Sequence, residues 1–478
     1  MRTAYRVEAV RAAERELMAT LPEGALMQRA AAGLAVAAAG LLGRVYGSRV
    51  ALLVGSGDNG GDALYAGARL ARRGAGVVAV PVDPARVHQG GLAALRTAGG
   101  RTATGPDAHE VLGRADLVVD GITGIGGRGG LREAAVALLE RVRGPVLAVD
   151  LPSGVDADTG EVAGEAVRAA ATVTFGAYKP GLLIDPGRSR AGALRLVDIG
   201  LGPLLPAVPD AAALQHADLA RLLPKPDGES DKYRRGVVGV AAGSATYPGA
   251  AVLAVSGALR GGAGAVRYAG HASEEVLARH PEVLVSKGSP RSAGRVQAWV
   301  VGSGLASGDE AERAVREVLE DRVPVLVDAD GLRLLDPDEV RRRPCPTVLT
   351  PHAGEAAALL GTSRESVEAA RLDSARRLAE RFGAAVLLKG ATTVVVGPDG
   401  GTARVNPTGS PWLATAGSGD VLSGLVGSLL AAGLDAVDAA SAGAYLHGLA
   451  GRLAAAPPTA ADVAEALPAA WHQVAPND

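Results

Sequence analysis

Cysteine is almost missing from this chain. Cys345 is its single example in 478 residues, which excludes an internal disulfide and any multi-thiolate metal site and points to the cytoplasm. A surplus of one charge is missing too. The net charge of −2, with both signs well mixed, argues against a nucleic acid or an anionic membrane as partner. Nor is there a long hydrophobic run. The longest, Ala30 to Leu42, is mostly alanine and glycine, lies between Arg29 and Arg44, and does not sit where a secretory signal would. It is too short and too weakly apolar to span a bilayer and reads as a buried helix. What the chain has in plenty is glycine, 66 residues of it, and alanine, which blur the hydrophobic periodicity. At this length two domains are expected.

In the first half, residues 6–44 read as two helices broken at Leu21-Pro22-Glu23-Gly24. A buried strand from Arg49 to Val54 ends in Gly55-Ser56-Gly57-Asp58-Asn59-Gly60-Gly61-Asp62, with a helix expected from Ala63 to Arg73 and a strand from Val77 to Val82 ending at Asp83. On pattern this is the glycine turn of a Rossmann dinucleotide site. Electrostatics argue against that pose: Asp58 and Asp62 put two carboxylates where a pyrophosphate would lie. Carboxylate and amide oxygens suit a cation or sugar hydroxyls better. Two more strands end in acids, Asp116 to Asp120 before Gly121–Gly130 and Val146 to Asp150 before Leu151-Pro152-Ser153-Gly154. In a parallel sheet Asn59, Asp120, Asp150 and Ser153 would meet at one edge. Asp120 and Asp150 could equally cap following helices, and Lys179 could be a surface lysine or a charge at the same edge.

The motifs GDNGGDAL, DGITGIGGRGGL and VDLPSGVDADTG, in this order, resemble the N-terminal epimerase domain of the bifunctional NAD(P)H-hydrate repair enzymes. The family has two asparagines before GGD, and Asp58 stands in place of the first. The resemblance implies a potassium ion held by Asn59, Asp120 and Ser153. It implies a hydrated dinucleotide lying against Asp58, Asn59, Gly60, Gly61 and Asp62, against Gly124, Ile125, Gly126, Gly127, Arg128, Gly129 and Gly130, and against Asp150. Asp150 is the expected acid–base residue of the epimerase.

Three prolines between Leu201 and Asp210 mark a linker. The expected domains are residues 1–210 and 211–478. In the second half, strands at Val237 to Ala241, Ala298 to Val301, Val325 to Val327, Thr347 to Leu349 and Ala385 to Leu388 each run into glycine or polar residues. Alternation of this kind describes an α/β fold, and both halves are expected to be doubly wound. Lys389-Gly390-Ala391-Thr392-Thr393 can meet phosphate oxygens. Glu355 could hold Mg²⁺ through water. His352 is either a helix cap or a catalytic residue, and Asp330 either a cap or a neighbour of Mg²⁺.

The stretch that organises the second half is Asn406-Pro407-Thr408-Gly409 followed by Gly417-Ser418-Gly419-Asp420 and the apolar run Val421 to Leu430. Small residues at a helix mouth leave its first amides free for a phosphoryl group. Asp420 would then take a proton from the attacking hydroxyl. Asp420 as a mere helix cap is the plainer alternative.

TYPGAAVLA, VVGSGL, LVDADGL, LTPHAGE, LLKGATT and NPTG…AGSGDVLSG resemble the ribokinase superfamily and, within it, the NAD(P)H-hydrate dehydratases, which carry histidine where small-molecule kinases carry asparagine. Gly302-Ser303-Gly304-Leu305-Ala306 departs from the family's usual GPGLG. The resemblance implies substrate contacts at Ala250, Gly304, His352 and Asp420, and ADP or ATP at Lys389 to Thr393 and Gly419. The implied fold is a Rossmann-like epimerase domain followed by a ribokinase-like dehydratase domain. The implied activities are an isomerase and a lyase acting on hydrated NADH and NADPH (NADHX and NADPHX). Homo-oligomers are expected. The alternative is a ribokinase-like small-molecule kinase behind a non-catalytic dinucleotide-sensing domain.

Overall fold

The computed structural model describes residues 1–225, 228–286 and 288–475. It divides into two compact units, Thr3–Asp210 and Met1–Arg2 with Ala211–Asp478.

In the Thr3–Asp210 unit, the strands beginning at Arg101, Gly76, Arg49, Leu117, Val146, Ala171 and Ala193 lie side by side in that order. All neighbours are parallel. Leu52, Leu53, Val118, Leu147, Ala148 and Val149 are fully buried, so the central strands are apolar on both faces, as parallel strands under helices must be. Chain order reverses between Arg49–Val54 and Leu117–Gly121, and ligands bind in such sheets at the carboxyl ends of that pair.

Two helices, Val7–Met18 and Ala25–Leu42, precede the sheet, broken where the proline and glycine stand. Ala25–Leu42 is 18 residues long, so by length and composition it could cross a membrane. Here Ala30, Ala31, Leu34, Ala35, Ala37 and Ala38 face the core. The next helix is Asp58–Arg72, beginning at Asp58 rather than Ala63. Glycine explains the early start. A side chain at Gly60 would stand 2.5 Å from the Gly55 carbonyl oxygen, so only glycine lets the helix begin against the strand end. Asp58 in the first turn also suits the helix dipole.

In the Ala211–Asp478 unit the strand order, by first residue, is Ala211, Ala403, Thr393, Ala385, Thr347, Val325, Ala298, Val237, Ala265, Leu284. From Ala385 to Leu284 the neighbours are parallel. Thr393–Val396 instead pairs antiparallel with Ala385–Leu388. Strict strand–helix alternation therefore stops at Lys389. Residues 389–392 are a tight link between two strands, far too short for a parallel crossover. The reversal of order falls between Val237–Ala241 and Ala298–Val301.

Helix Ser418–Ala431 is buried from Val421 to Ala431. It meets helix Pro248–Arg260 backbone to backbone. A side chain at Gly424 would stand 1.9 Å from the Ala254 carbonyl oxygen, and one at Gly257 2.1 Å from that of Val421. This close crossing fixes the mouth of the helix relative to the crevice.

Candidate active sites

The crevice of the Thr3–Asp210 unit holds a cavity of about 390 Å³ lined by Ser56 to Asn59, Asp62, Ile122 to Gly127, Asp150 and Phe175. The strand ends expected to converge do so. Asp120 is fully buried, and its carboxylate accepts from the Ser153 hydroxyl at 2.7 Å and the Ser153 amide at 2.9 Å. The Ser153 hydroxyl in turn accepts from the Thr123 amide at 2.9 Å. Burial pushes the Asp120 carboxyl up to about 6, against the pull of these donors. Asn59 packs beside this loop, its Oδ1 2.8 Å from where a Gly124 side chain would begin, and its buried Nδ2 has no partner. Asp58 to Asp62 form the first turns of a helix, so two carboxylates stand where a pyrophosphate would meet its amides. Asp83, the acid of the apparent Rossmann pattern, caps a short 3₁₀ turn.

Asp150 caps no helix. It has φ 66, a left-handed conformation unusual for aspartate, and such strain collects at functional positions. Its Oδ1 accepts from Lys179 Nζ and, at 3.0 Å, from the Thr174 hydroxyl. Lys179 is a buried cation, 1% exposed, donating also to the Phe175 carbonyl at 3.2 Å. Lys179→Met would strand Asp150 as an uncompensated buried charge, with an expected cost of ~3–5 kcal/mol. Hydrogen exchange in strands Val146–Val149 and Ala171–Phe175 reads this directly. Fluorescence would not, since Trp299, Trp412 and Trp471 all belong to the other unit. Arg11 and Glu14 also line the cavity, and nothing in the sequence marked them.

In the Ala211–Asp478 unit, Gly417 starts helix Ser418–Ala431 in a left-handed conformation, φ 84, without a side-chain cap. Asp420 is therefore not a cap. Its carboxyl lies beside Ser303 and Lys389, and burial with the charge of Asp328 pushes it up to about 6 despite both. The Ser303 hydroxyl is near enough to lower Asp420 yet meets no partner at hydrogen-bond geometry. Lys389 Nζ donates to Asp328 Oδ1 at 2.7 Å and stands 3.9 Å from Glu355 Oε2. These carboxylates hold the lysine above its ordinary value, against a burial that would lower it. Ser423 fixes the other Asp328 oxygen at 2.7 Å. A side chain at Gly419 would begin 3.4 Å from Lys389 Nζ, so the lysine faces the helix mouth.

His352 caps helix Ala353–Leu360. Its Nδ1 accepts from the Gly354 and Glu355 amides at 2.9 and 3.2 Å, and Glu355 returns the bond to the His352 amide at 2.7 Å. With Nδ1 an acceptor, neutral His352 carries its proton on Nε2, ready to donate from a side chain 59% exposed. The cap and the catalytic readings are thus compatible. Ala250 and Gly304 face each other across the crevice, a Gly304 side chain falling 2.7 Å from the Ala250 methyl. Thr392 is buried, and Arg371 presses on Gly390 while donating to the Lys389 carbonyl at 3.2 Å. Asp330 anchors its own loop through the Ala306 amide at 3.0 Å and Arg333. Sequence reasoning weighed Asp330 and passed over Asp328, although both follow the same strand. His447 was also missed. It is buried near Ser418, with Nε2 unpartnered, and burial lowers it to about 4. Asn406 braces the NPTG turn, donating to the Ala444 carbonyl at 2.8 Å and accepting from the Thr408 hydroxyl at 2.9 Å.

Two units built mainly on parallel strands, each with polar groups gathered along the carboxyl ends of those strands, define a tandem α/β enzyme. Comparison with known proteins agrees. A family model described as YjeF-related protein N-terminus matches residues 23–181, and one described as NAD(P)H-hydrate dehydratase matches residues 238–470. A ribokinase-like superfamily protein from Enterococcus faecalis V583 superposes with TM-score 0.51 at 22% identity, over 56% of this chain and 98% of that one, which shows the fold. The ADP/ATP-dependent NAD(P)H-hydrate dehydratase from Bacillus subtilis, co-crystallized with ATP/Mg²⁺, gives TM-score 0.50 at 28% identity over 55% of this chain and 99% of that one. The bifunctional NAD(P)H-hydrate repair enzyme Nnr of Mycobacterium leprae is 52% identical over 450 residues, 92% of this chain and 91% of that protein. The chain belongs to the family of bifunctional NAD(P)H-hydrate repair enzymes. Similarity along both units leaves the alternative of a kinase behind a non-catalytic domain unfavoured.

Proposed function

We propose that the chain repairs hydrated NADH and NADPH, epimerising the R and S forms in its first unit and dehydrating the S form in its second with ADP or ATP. The observation that carries this reading is the Asp420 carboxyl at a glycine-capped helix mouth, beside Ser303 and within reach of Lys389. The substrate's hydroxyl sits on the ring carbon next to nitrogen, and hydroxide leaves poorly. Asp420 takes the hydroxyl proton while the hydroxyl oxygen attacks the terminal phosphoryl group. The first amides of helix Ser418–Ala431 and the Lys389 charge meet the phosphoryl oxygens. The ring-nitrogen lone pair then expels phosphate, and loss of a neighbouring ring proton restores the reduced dinucleotide. His352 Nε2, Ala250 and Gly304 orient the substrate. Glu355 would meet Mg²⁺ only through water, since its oxygens already face the His352 amide and Nε2.

The Asn59, Asp120 and Ser153 cluster fits a potassium ion. Asp120 is buried with no Lys or Arg pairing with it among the described residues, and the Asn59 amide lies buried beside the Gly124 loop with Nδ2 orphaned, where turned over it would offer an oxygen. Among the described residues no group of three His, Cys, Asp or Glu side chains could hold a metal, so neutral oxygens around a single carboxylate suit a monovalent ion better than a divalent one. When bound, the ion would supply positive charge beside the substrate loop.

The test is to supply hydrated NADH with ADP or ATP and follow absorbance of the reduced nicotinamide. Recovery is expected with at least one nucleotide, and none with either would leave the kinase reading ahead. Asp120→Ala is expected to spare the S epimer and leave the R epimer unrepaired.

A further inference from the structure

We infer that Glu14 and Asp62 are the acid–base pair of the epimerase, an inference that rests on the epimerase reading above. Five carboxyls stand in or under the cavity, and geometry separates them. Asp120 is bound by Ser153 through both oxygens. Asp150 is engaged by Lys179, Thr174 and the Phe175 amide. Asp58 is exposed, so water serves it as well as any ligand. Asp62 differs from all three. Its Oδ1 is shut from solvent and has no partner, though its side chain lines the cavity. Glu14 enters the same cavity from helix Val7–Met18, ahead of the region matched by the family model.

The surroundings disfavour the ionised form of both. Burial raises both carboxyls, and each is raised further by Asp150 and Asp58. Glu14 adds to the rise at Asp62, while Lys179 and Arg11 pull Glu14 down. Glu14 disfavours the ionisation of Asp62, and a carboxyl so placed can hold a proton while its neighbour is ionised.

That is what the chemistry needs. The protonated member gives its proton to the ring hydroxyl, the ring-nitrogen lone pair forms the C=N bond, and the carbon–oxygen bond breaks to release water. The ring carbon is now planar. Water adds from the opposite face and gives a proton to the other carboxylate, and the C=N electrons return to nitrogen. No net proton is consumed, and the pair is left with its roles exchanged, ready for the reverse epimer.

The full chain tests this with its own dehydratase unit as a control for folding. Purified R epimer and purified S epimer are supplied separately, with nucleotide. Glu14→Gln and Asp62→Asn are each expected to slow R-epimer repair by about 100-fold or more, with S-epimer repair unchanged. The R-to-S rate of the unaltered chain should peak at intermediate pH, falling on the acid side where both carboxyls hold protons and on the alkaline side where neither does. Each variant should lose that peak. The pairing is overturned if either variant repairs the R epimer at the original rate, or if both slow it while the pH peak keeps its shape and position. If the unaltered chain leaves the R epimer untouched, the epimerase reading itself fails.

Discussion

Asp420→Asn is expected to slow nucleotide-driven recovery of the reduced dinucleotide by about 10²–10⁴-fold, the usual worth of a positioned base, without unfolding the second unit. The fold should survive because Asp420 caps nothing; Gly417 starts the helix and the core contacts begin at Val421. In the unaltered chain the same carboxyl sets an acid limb. Burial and the neighbouring Asp328 raise it to about 6, and only its ionised form accepts a proton. The rate should therefore fall as pH drops through about 6, and a pH–rate profile of the S epimer measures this. An unshifted aspartate, near the ordinary 3.8, would put the limb far lower.

Lys389→Met is expected to be the most damaging single change to the second unit. The ammonium lies 2.7 Å from Asp328 and 3.9 Å from Glu355, and Asp420 adds to its stabilisation. Without it Asp328, 1% exposed, loses the one cation paired with it among the described residues and is left beside the Asp420 carboxyl. Breaking such a pair from one side costs ~3–5 kcal/mol. Because the lysine is raised above its ordinary 10.5, the stabilisation is fully present below that value and fades only as pH rises through the raised one. The loss should therefore appear undiminished at neutral pH in chemical unfolding followed by the fluorescence of buried Trp299. Nucleotide binding should weaken in parallel, since the same charge faces the helix mouth. Unchanged stability would mean that Asp328 is satisfied elsewhere.

Much of this was legible in the chain. Short Val- and Leu-rich runs ending in glycine or an acid locate parallel strands, and their carboxyl ends gather at one edge whatever the loops do. Asn59, Asp120, Asp150, Ser153 and Lys389 could be placed on that ground alone, and Asp420 on the small residues at the mouth of its helix. What stayed hidden depends on contacts between distant segments. Helix Asp58–Arg72 begins early because Gly60 can touch the Gly55 carbonyl, a fit that no local pattern encodes. The antiparallel strand pair around KGATT interrupts the general strand–helix alternation, with only four residues between its strands. Asp328 and Asp330 look alike in sequence, and only the lysine and serine that converge on Asp328 tell them apart. Glu14 sits among other charged residues of an amphipathic helix, and its place in the cavity follows from tertiary packing.

The most direct measurement is an isotope trace. S-epimer hydrate carrying ¹⁸O in its ring hydroxyl is repaired in ordinary water with ADP or ATP by the Asp120→Ala chain, whose first unit is expected not to exchange that hydroxyl with water, and the released phosphate is weighed by mass spectrometry. If the hydroxyl attacks the phosphoryl group beside Asp420, the labelled oxygen leaves in inorganic phosphate, one atom per dinucleotide restored. Label found in water, with unlabelled phosphate, would contradict the account.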